Sequence, residues 1–96
     1  MVKANFIKSL LEQADIPLGA VTAISGVAHE NNILSVYLTV GEENLESGEN
    51  IAAIGEIQDT GEIQLDALYT TTILPVNAML TANEKQELES ALGIGE

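Results

Sequence analysis

The chain contains no cysteine, and this absence excludes several kinds of chemistry at once. It can have no disulfide framework, no thiol nucleophile and no thiolate metal ligand. Its 96 residues, of which 46% are hydrophobic, are still enough to build one core without such crosslinks. We therefore expect a single domain covering residues 1–96.

Positive charge is also scarce, since three lysines and no arginine stand against fifteen acidic residues. The formal net charge of −12 repels the phosphates of nucleic acids and the headgroups of anionic membranes. No hydrophobic run approaches the roughly 20 residues of a membrane span, and the N-terminus lacks the apolar stretch of a signal peptide. The sequence predicts a cytoplasmic protein that has no membrane partner and for which nucleic acid is a disfavoured partner.

Aromatic residues and catalytic motifs are rare as well. Phe6, Tyr37 and Tyr69 are the only aromatic residues, which leaves little surface for stacking on bases or sugars. No serine lies in a Gly-x-Ser-x-Gly elbow, and there is no Gly-x-x-x-x-Gly-Lys phosphate loop. We expect no cofactor and no enzymatic activity.

One short motif matches a catalytic signature. Asp59-Thr60-Gly61 matches the three-residue signature of aspartic proteases, in which two chains each contribute one aspartate. That family has apolar residues before the aspartate and a small residue after the glycine, whereas Gln58 and Glu62 stand at those places here. Asp-Thr-Gly is also an ordinary hairpin turn, and the turn is the better interpretation.

What the sequence does contain is hydrophobic patterning. An amphipathic helix is predicted from Lys3 to about Asp15, because Phe6, Ile7, Leu10, Leu11 and Ala14 fall on one stripe before Pro17. Five strands are predicted near residues 21–29, 34–40, 51–58, 62–70 and 71–76, with a bulge or bend at Gly26. A capping box at Thr81-Ala82-Asn83-Glu84 begins a second helix, which ends at Leu92 before Gly93.

These elements predict a fold that is mainly β, in the α+β class. It has an N-terminal helix, a five-stranded, strongly bent antiparallel sheet or small open barrel, and a short C-terminal helix. The third and fourth strands form a local hairpin.

Four polar residues are candidates for binding. In the second strand Leu34, Val36, Leu38 and Val40 form the core face, so Tyr37 lies on the other face with Ser35 and Thr39. Tyr37 is predicted to be an interface contact or a stacking platform, or alternatively to pack across the strands against Tyr69. His29 ends the first strand, and Asn31 and Asn32 form the turn that follows it. No catalytic residue is predicted.

An acidic loop gives the one candidate metal site. Glu42, Glu43, Glu46 and Glu49 could supply oxygen ligands to a hard cation such as calcium. The loop lacks the Asp/Asn alternation and the glycine placement of an EF-hand, so a solvated acidic loop is the alternative.

The order of elements over residues 3–76 resembles that of the Sm/LSm family of small bent barrels: a helix, then five short strands with a glycine at a bend in the first. The chain has neither the Asp-x-x-Met-Asn element nor the apolar-Arg-Gly element with which that family binds uridine-rich RNA. No RNA-binding residue is therefore carried over. The resemblance implies assembly, because Sm-like barrels join edge strand to edge strand into rings and so bury their open edges.

Three classes of function follow. The first is a non-enzymatic, Sm-like, ring-forming homo-oligomer that binds or processes RNA or DNA at a local surface. The second is a structural or protein-interaction module of the kind found in phages and virions. The third is an acidic mimic of nucleic acid that inhibits a basic binding site. The sequence does not choose among them.

Overall fold

The computed structural model describes residues 2–41 and 49–94, with side chains described from Ala4 onward. In this part of the chain a helix lies at each end and four strands lie between them. The helices are α1 (Val2–Gln13) and α2 (Ala82–Leu92), and the strands are β1 (Val21–Glu30), β2 (Ile33–Val40), β3 (Asn50–Ile57) and β4 (Ile63–Thr71). Single-turn 3-10 helices precede β1, at Leu18–Ala20, and α2, at Val76–Ala78.

The four strands form one antiparallel sheet in the order β1-β2-β3-β4, so that strands adjacent in sequence are also adjacent in space. The turn between β1 and β2 places Asn31 at φ 56°, a left-handed geometry that asparagine tolerates well. The turn between β3 and β4 contains the exposed Asp59-Thr60-Gly61 motif, with Gly61 at φ 90°. A register shift beside Gly26 confirms the bulge predicted in β1.

One face of the sheet carries the main core. The alternation in β2 is confirmed, since the predicted core residues Leu34, Val36, Leu38 and Val40 are all buried. The helices cover this face with buried side chains of their own, namely Ala4, Ile7, Leu10 and Leu11 from α1 and Leu88 and Leu92 from α2. Burial of each large apolar side chain contributes about 1.5–3 kcal/mol, so this face holds the domain together.

The start of α2 confirms the predicted capping box. The Glu84 amide donates to Thr81 Oγ1 at 3.2 Å, and the Thr81 amide donates to Glu84 Oε1 at 3.1 Å. The helix ends as predicted, with Gly93 at φ 75° and the Ile94 amide donating to the Glu89 carbonyl at 2.8 Å. This Schellman arrangement turns the chain back and buries Ile94 in the main core.

The end of α1 has the same arrangement without a glycine. Asp15 takes the left-handed position at φ 63°, and its amide donates to the Glu12 carbonyl at 3.1 Å. The Ile16 amide donates to the Leu11 carbonyl at 2.9 Å, so Ile16 packs against the main core. Aspartate is one of the few residues other than glycine that visit this geometry.

The predicted fifth strand is wrong, and so is the five-stranded bent sheet or small barrel that depended on it. The sheet has four strands and is open, with β1 and β4 at its edges. After β4 the chain bends, because Thr71 Oγ1 accepts a hydrogen bond of 3.1 Å from the Ile73 amide. Pro75, which has no amide hydrogen for a ladder, then begins the 3-10 helix instead of continuing a strand.

Residues 72–79, here called the covering segment, lie across the second face of the sheet. Ala78 of this segment is fully buried against Tyr37 and Ala52, and Leu74 packs on the same small cluster. Only one isolated bridge, between Gly26 and Met79, joins the segment to the sheet by strand-like pairing. The apolar residues that predicted a strand therefore cover part of the second face of the sheet.

Candidate interaction surface

A long uncharged segment lies near the C-terminal end of a chain that is otherwise strongly acidic. No charged residue occurs between Asp66 and Glu84, so residues 67–83 form what we call the uncharged segment. Of the six large apolar side chains that are exposed in the described part of the chain, five belong to it: Leu68, Tyr69, Ile73, Val76 and Met79. Exposed apolar side chains that gather where charge is absent are typical of an interaction site.

The uncharged segment begins on β4, whose outer edge is largely open. At the start of this strand the Gln13 carboxamide acts like a neighbouring strand. Its Nε2 donates to the Ile63 carbonyl at 2.8 Å, and its Oε1 accepts from the Leu65 amide at 2.7 Å. Beyond Leu65, no group within residues 2–41 and 49–94 hydrogen-bonds to this outer edge. An edge of this kind is a template for pairing with another strand.

The opposite edge of the sheet, β1, is sealed in its middle. Glu89 of α2 accepts a hydrogen bond of 3.0 Å from the Ile24 amide through Oε2, and the same oxygen is 3.2 Å from Lys85 Nζ. The bridge between Met79 and Gly26 covers the next part of the strand. The hydrogen bond from Ile24, supported by Lys85, lowers the pKa of the Glu89 carboxyl below its ordinary value.

A row of aligned residues connects the two edges across the second face. Gly26, Tyr37, Ala52 and Tyr69 are successive partners on β1, β2, β3 and β4. Tyr37 is buried, whereas Tyr69 is 46% exposed, and the small Ala52 lies between them in this row. Burial, together with the neighbouring Tyr69, raises the pKa of the Tyr37 hydroxyl above 10.0.

The four candidate binding residues do not form one site. Tyr37 lies in the middle of β2, where it is buried with Ala52 and Ala78 under the covering segment. His29, Asn31 and Asn32 lie together in the exposed turn region at the end of the β1–β2 hairpin. In this turn the Asn32 carbonyl accepts from the Ile57 amide at 2.7 Å, so Asn32 contributes to the sheet through its backbone.

Most of the candidate metal loop lies outside the described residues. This applies to Glu42, Glu43 and Glu46, whereas Glu49 directly precedes β3 and is half-buried. Over residues 2–41 and 49–94 no three acidic or imidazole side chains come together in a way that could hold a metal ion. Neither helix in these ranges is both long and apolar enough to cross a bilayer.

Sequence reasoning missed the residues that make the two edges different. Gln13 and Glu89 act on strand residues that are 50 and 65 positions away in the chain, and no local pattern predicts such contacts. The uncharged segment itself, by contrast, is visible in the sequence as a break in the acidic pattern. This absence of charge over residues 67–83 is the sequence feature that could have indicated the open edge.

Comparison with known proteins adds no further guide to this surface. No family model matches the chain, and no curated protein and no solved structure is similar to it. The resemblance to Sm-like barrels therefore stays a hypothesis.

Proposed function

We propose that the protein is a non-enzymatic assembly module that associates with a second copy of itself through the uncharged segment and the adjoining edge of β4. The observation that carries this proposal is the coincidence of three properties at one place. Exposed apolar side chains, the absence of charge and the unpaired strand edge all occur over residues 67–71.

Electrostatics favour a second copy as the partner. Two chains that each carry a net charge of −12 repel one another over most of their surfaces. The uncharged segment is where they can meet without placing carboxylates against carboxylates. A basic protein or peptide would instead be expected to dock where the acidic residues are.

Nucleic acid is a poorer fit to the same surface. Affinity for phosphate backbones comes mainly from lysine and arginine, and the uncharged segment contains neither. Lys85, just beyond it, is paired with Glu89. A titration with labelled single-stranded RNA and DNA should show no binding at physiological salt, and binding there would contradict the proposal.

The main test is the molar mass in solution, measured by light scattering after size exclusion over a wide range of protein concentration. We expect the mass to rise from the 10.1 kDa of one chain towards twice that value. Higher salt should move the transition to lower protein concentration, because it screens the mutual repulsion and strengthens apolar contact. A monomer mass at all concentrations and salt levels would overturn the proposal.

Two matched variants locate the surface. Leu68→Glu places a carboxylate in the uncharged segment at a side chain that is 45% exposed, and it should abolish association. Ile33→Glu places the same charge at the one large apolar side chain outside that segment that is exposed in the described part of the chain, with 36% exposure, and it should leave association intact. Equal loss in both variants would indicate non-specific apolar contact and contradict the assigned surface.

A further inference from the structure

We infer that β4 pairs antiparallel with β4 of a second copy about a two-fold axis at Tyr69, so that two four-stranded sheets join into one sheet of eight strands. This inference rests on the proposed self-association and specifies its geometry. It also replaces the ring expected from the Sm-like resemblance with a closed pair.

In the described part of the chain, β4 is the edge of the sheet that has a free stretch. A head-to-tail ring needs the β4 edge of one copy to pair with the β1 edge of the next. The middle of β1 is occupied, since Glu89 takes the Ile24 amide and Met79 bridges to Gly26. Pairing of β4 with β4 uses the same edge from both copies and closes after two chains.

The backbone groups of β4 that point outward follow from the direction of the amides on β3. The Ile57 amide donates to Asn32, so at this position β3 directs its amide towards β2. Alternation along β3 then directs Ala53 and Ile51 towards β2 as well. Their partners on β4 are Leu68 and Thr70, so these two residues present their amide and carbonyl groups to the open edge.

The register follows from these two outward-pointing residues. A two-fold axis at Tyr69 places Leu68 opposite Thr70 of the second copy, so the two outward residues of each chain bond to each other. Tyr69 then faces its own counterpart as a non-hydrogen-bonded pair, in which Cα atoms are about 4.5 Å apart and side chains pack closely. Asp66 lies three residues from this axis and its counterpart lies on the other side, so no carboxylate faces a carboxylate in this register.

Steric limits on β4 agree with this register. Gln13 blocks the edge at Ile63 and Leu65, and the strand ends at Thr71. The free stretch is therefore short and is centred near Tyr69. A short paired stretch between two closed-off ends gives a dimer that cannot extend into a fibril.

The absence of cysteine allows a direct test by oxidative crosslinking of the full chain. Tyr69→Cys should form a disulfide-linked dimer, because Cα atoms of a non-hydrogen-bonded pair lie within the range of about 4.4–6.8 Å that disulfides need. Thr72→Cys is the matched control, since residue 72 lies three residues from the axis, just beyond the end of β4, and does not face its own counterpart. We expect crosslinking to be at least tenfold faster for Tyr69→Cys, and equal rates would overturn the register.

Hydrogen exchange on the unmodified chain gives a second measurement that does not depend on a cysteine variant. The Leu68 and Thr70 amides should become protected as protein concentration rises through the dimer transition. The Tyr69 and Thr71 amides, which point towards β3, should be slow at every concentration.

The outcomes separate this inference from the proposal on which it rests. A dimer that forms in light scattering without selective crosslinking at residue 69 and without new protection at Leu68 and Thr70 would overturn the strand pairing and leave the proposed self-association standing. A chain that is monomeric under all conditions would overturn both.

Discussion

The two edges of the sheet are treated differently by the rest of the chain. The β1 edge is closed by groups from the C-terminal part of the chain, with Glu89 on the Ile24 amide and Met79 against Gly26. Among residues 2–41 and 49–94, Gln13 alone hydrogen-bonds to the outer edge of β4, at its start, and the rest of that edge is open. The two terminal helices thus each supply one side chain to an edge, but only α2 and the segment before it complete the closure.

The two edges also differ in the features that usually protect an edge strand from pairing with another chain. Edge strands are usually protected by charge, proline or a covering element. The exposed end of β1 carries His29 and Glu30, whereas β4 carries no charge after Asp66. Proline appears only after β4 has ended, at Pro75. Within residues 2–41 and 49–94, the protection typical of edges is therefore absent from the open stretch of β4, which is what the proposed self-association requires.

The largest effect should come from breaking the β1 seal at Gly26. A Cβ atom placed there would lie 2.5 Å from the Ala78 carbonyl oxygen and 2.9 Å from Leu74 Cδ1, so Gly26→Ala should push the covering segment away. We expect a loss of about 2 kcal/mol in the free energy of unfolding in urea, as for other overpacked sites. Gly19→Ala is the control, because nothing lies within 4 Å of a Cβ at Gly19. Similar losses in both variants would contradict the tight seal.

Removing the carboxylate that caps β1 should have the next largest effect. Glu89→Ala leaves the Ile24 amide without its acceptor, and we expect a loss of about 1.5 kcal/mol, typical of a hydrogen bond to a charged group. Lys85→Ala removes only the ion pair, and the Lys85 side chain is 42% exposed, so its cost should stay below about 0.5 kcal/mol. Urea denaturation of both variants checks the order. A larger loss from Lys85→Ala would mean that the ion pair and not the strand cap is important.

Removing the Gln13 hydrogen bonds from β4 should leave more of that edge unpaired and so increase its difference from the β1 edge. Gln13→Ala removes both hydrogen bonds to β4 and should cost about 1 kcal/mol of stability. The same change exposes the edge at Ile63 and Leu65, so association should become tighter, and the mass in light scattering should reach that of a dimer at lower protein concentration. Gln86→Ala, at an exposed glutamine of α2, is the control and should change neither quantity. Weaker association in Gln13→Ala would indicate that Gln13 orders the interface and does not limit it.

How much of this contrast could be predicted from the sequence depends on the range of the interactions. The start and end of α2 follow from Thr81, Glu84 and Gly93, because capping and left-handed geometry are local properties. The core face of β2 follows from alternation for the same reason. Alternation also placed Tyr37 on the second face, but it could not show that the covering segment lies on that face and buries it.

The error over residues 71–76 has a related cause. The run of threonine, isoleucine and leucine before Pro75 has strand propensity, and propensity for strands depends on what a segment packs against. Here the segment packs on top of the sheet at Tyr37 and Ala52 and not beside it. The contacts of Gln13 with β4 and of Glu89 with β1 could not be predicted either, because each joins residues that are far apart in the chain and come together only in the folded structure.

The smallest expected effect is a pH dependence that belongs to the sealed edge alone. The pKa of Glu89 in the folded state lies below its ordinary value of 4.5, chiefly because the Ile24 amide donates to the carboxylate. The ionised form is thus the one that stabilises the fold. Its contribution is complete above pH 4.5 and is lost as the pH falls through the lower folded-state pKa.

Glu89→Gln tests this link, because the glutamine carbonyl can still accept from Ile24 but cannot titrate. The variant should be slightly less stable than the native chain at neutral pH, and the two urea midpoints should converge at acid pH.

A Gln13→Glu variant extends the comparison to β4: its carboxylate can accept from Leu65 but cannot donate to the Ile63 carbonyl. Acid, by protonating that carboxylate, should restore the donor and part of the lost stability. Opposite responses to acid at the two edges would show that β1 is capped by a charge and β4 by a neutral amide, whereas parallel responses would contradict that difference.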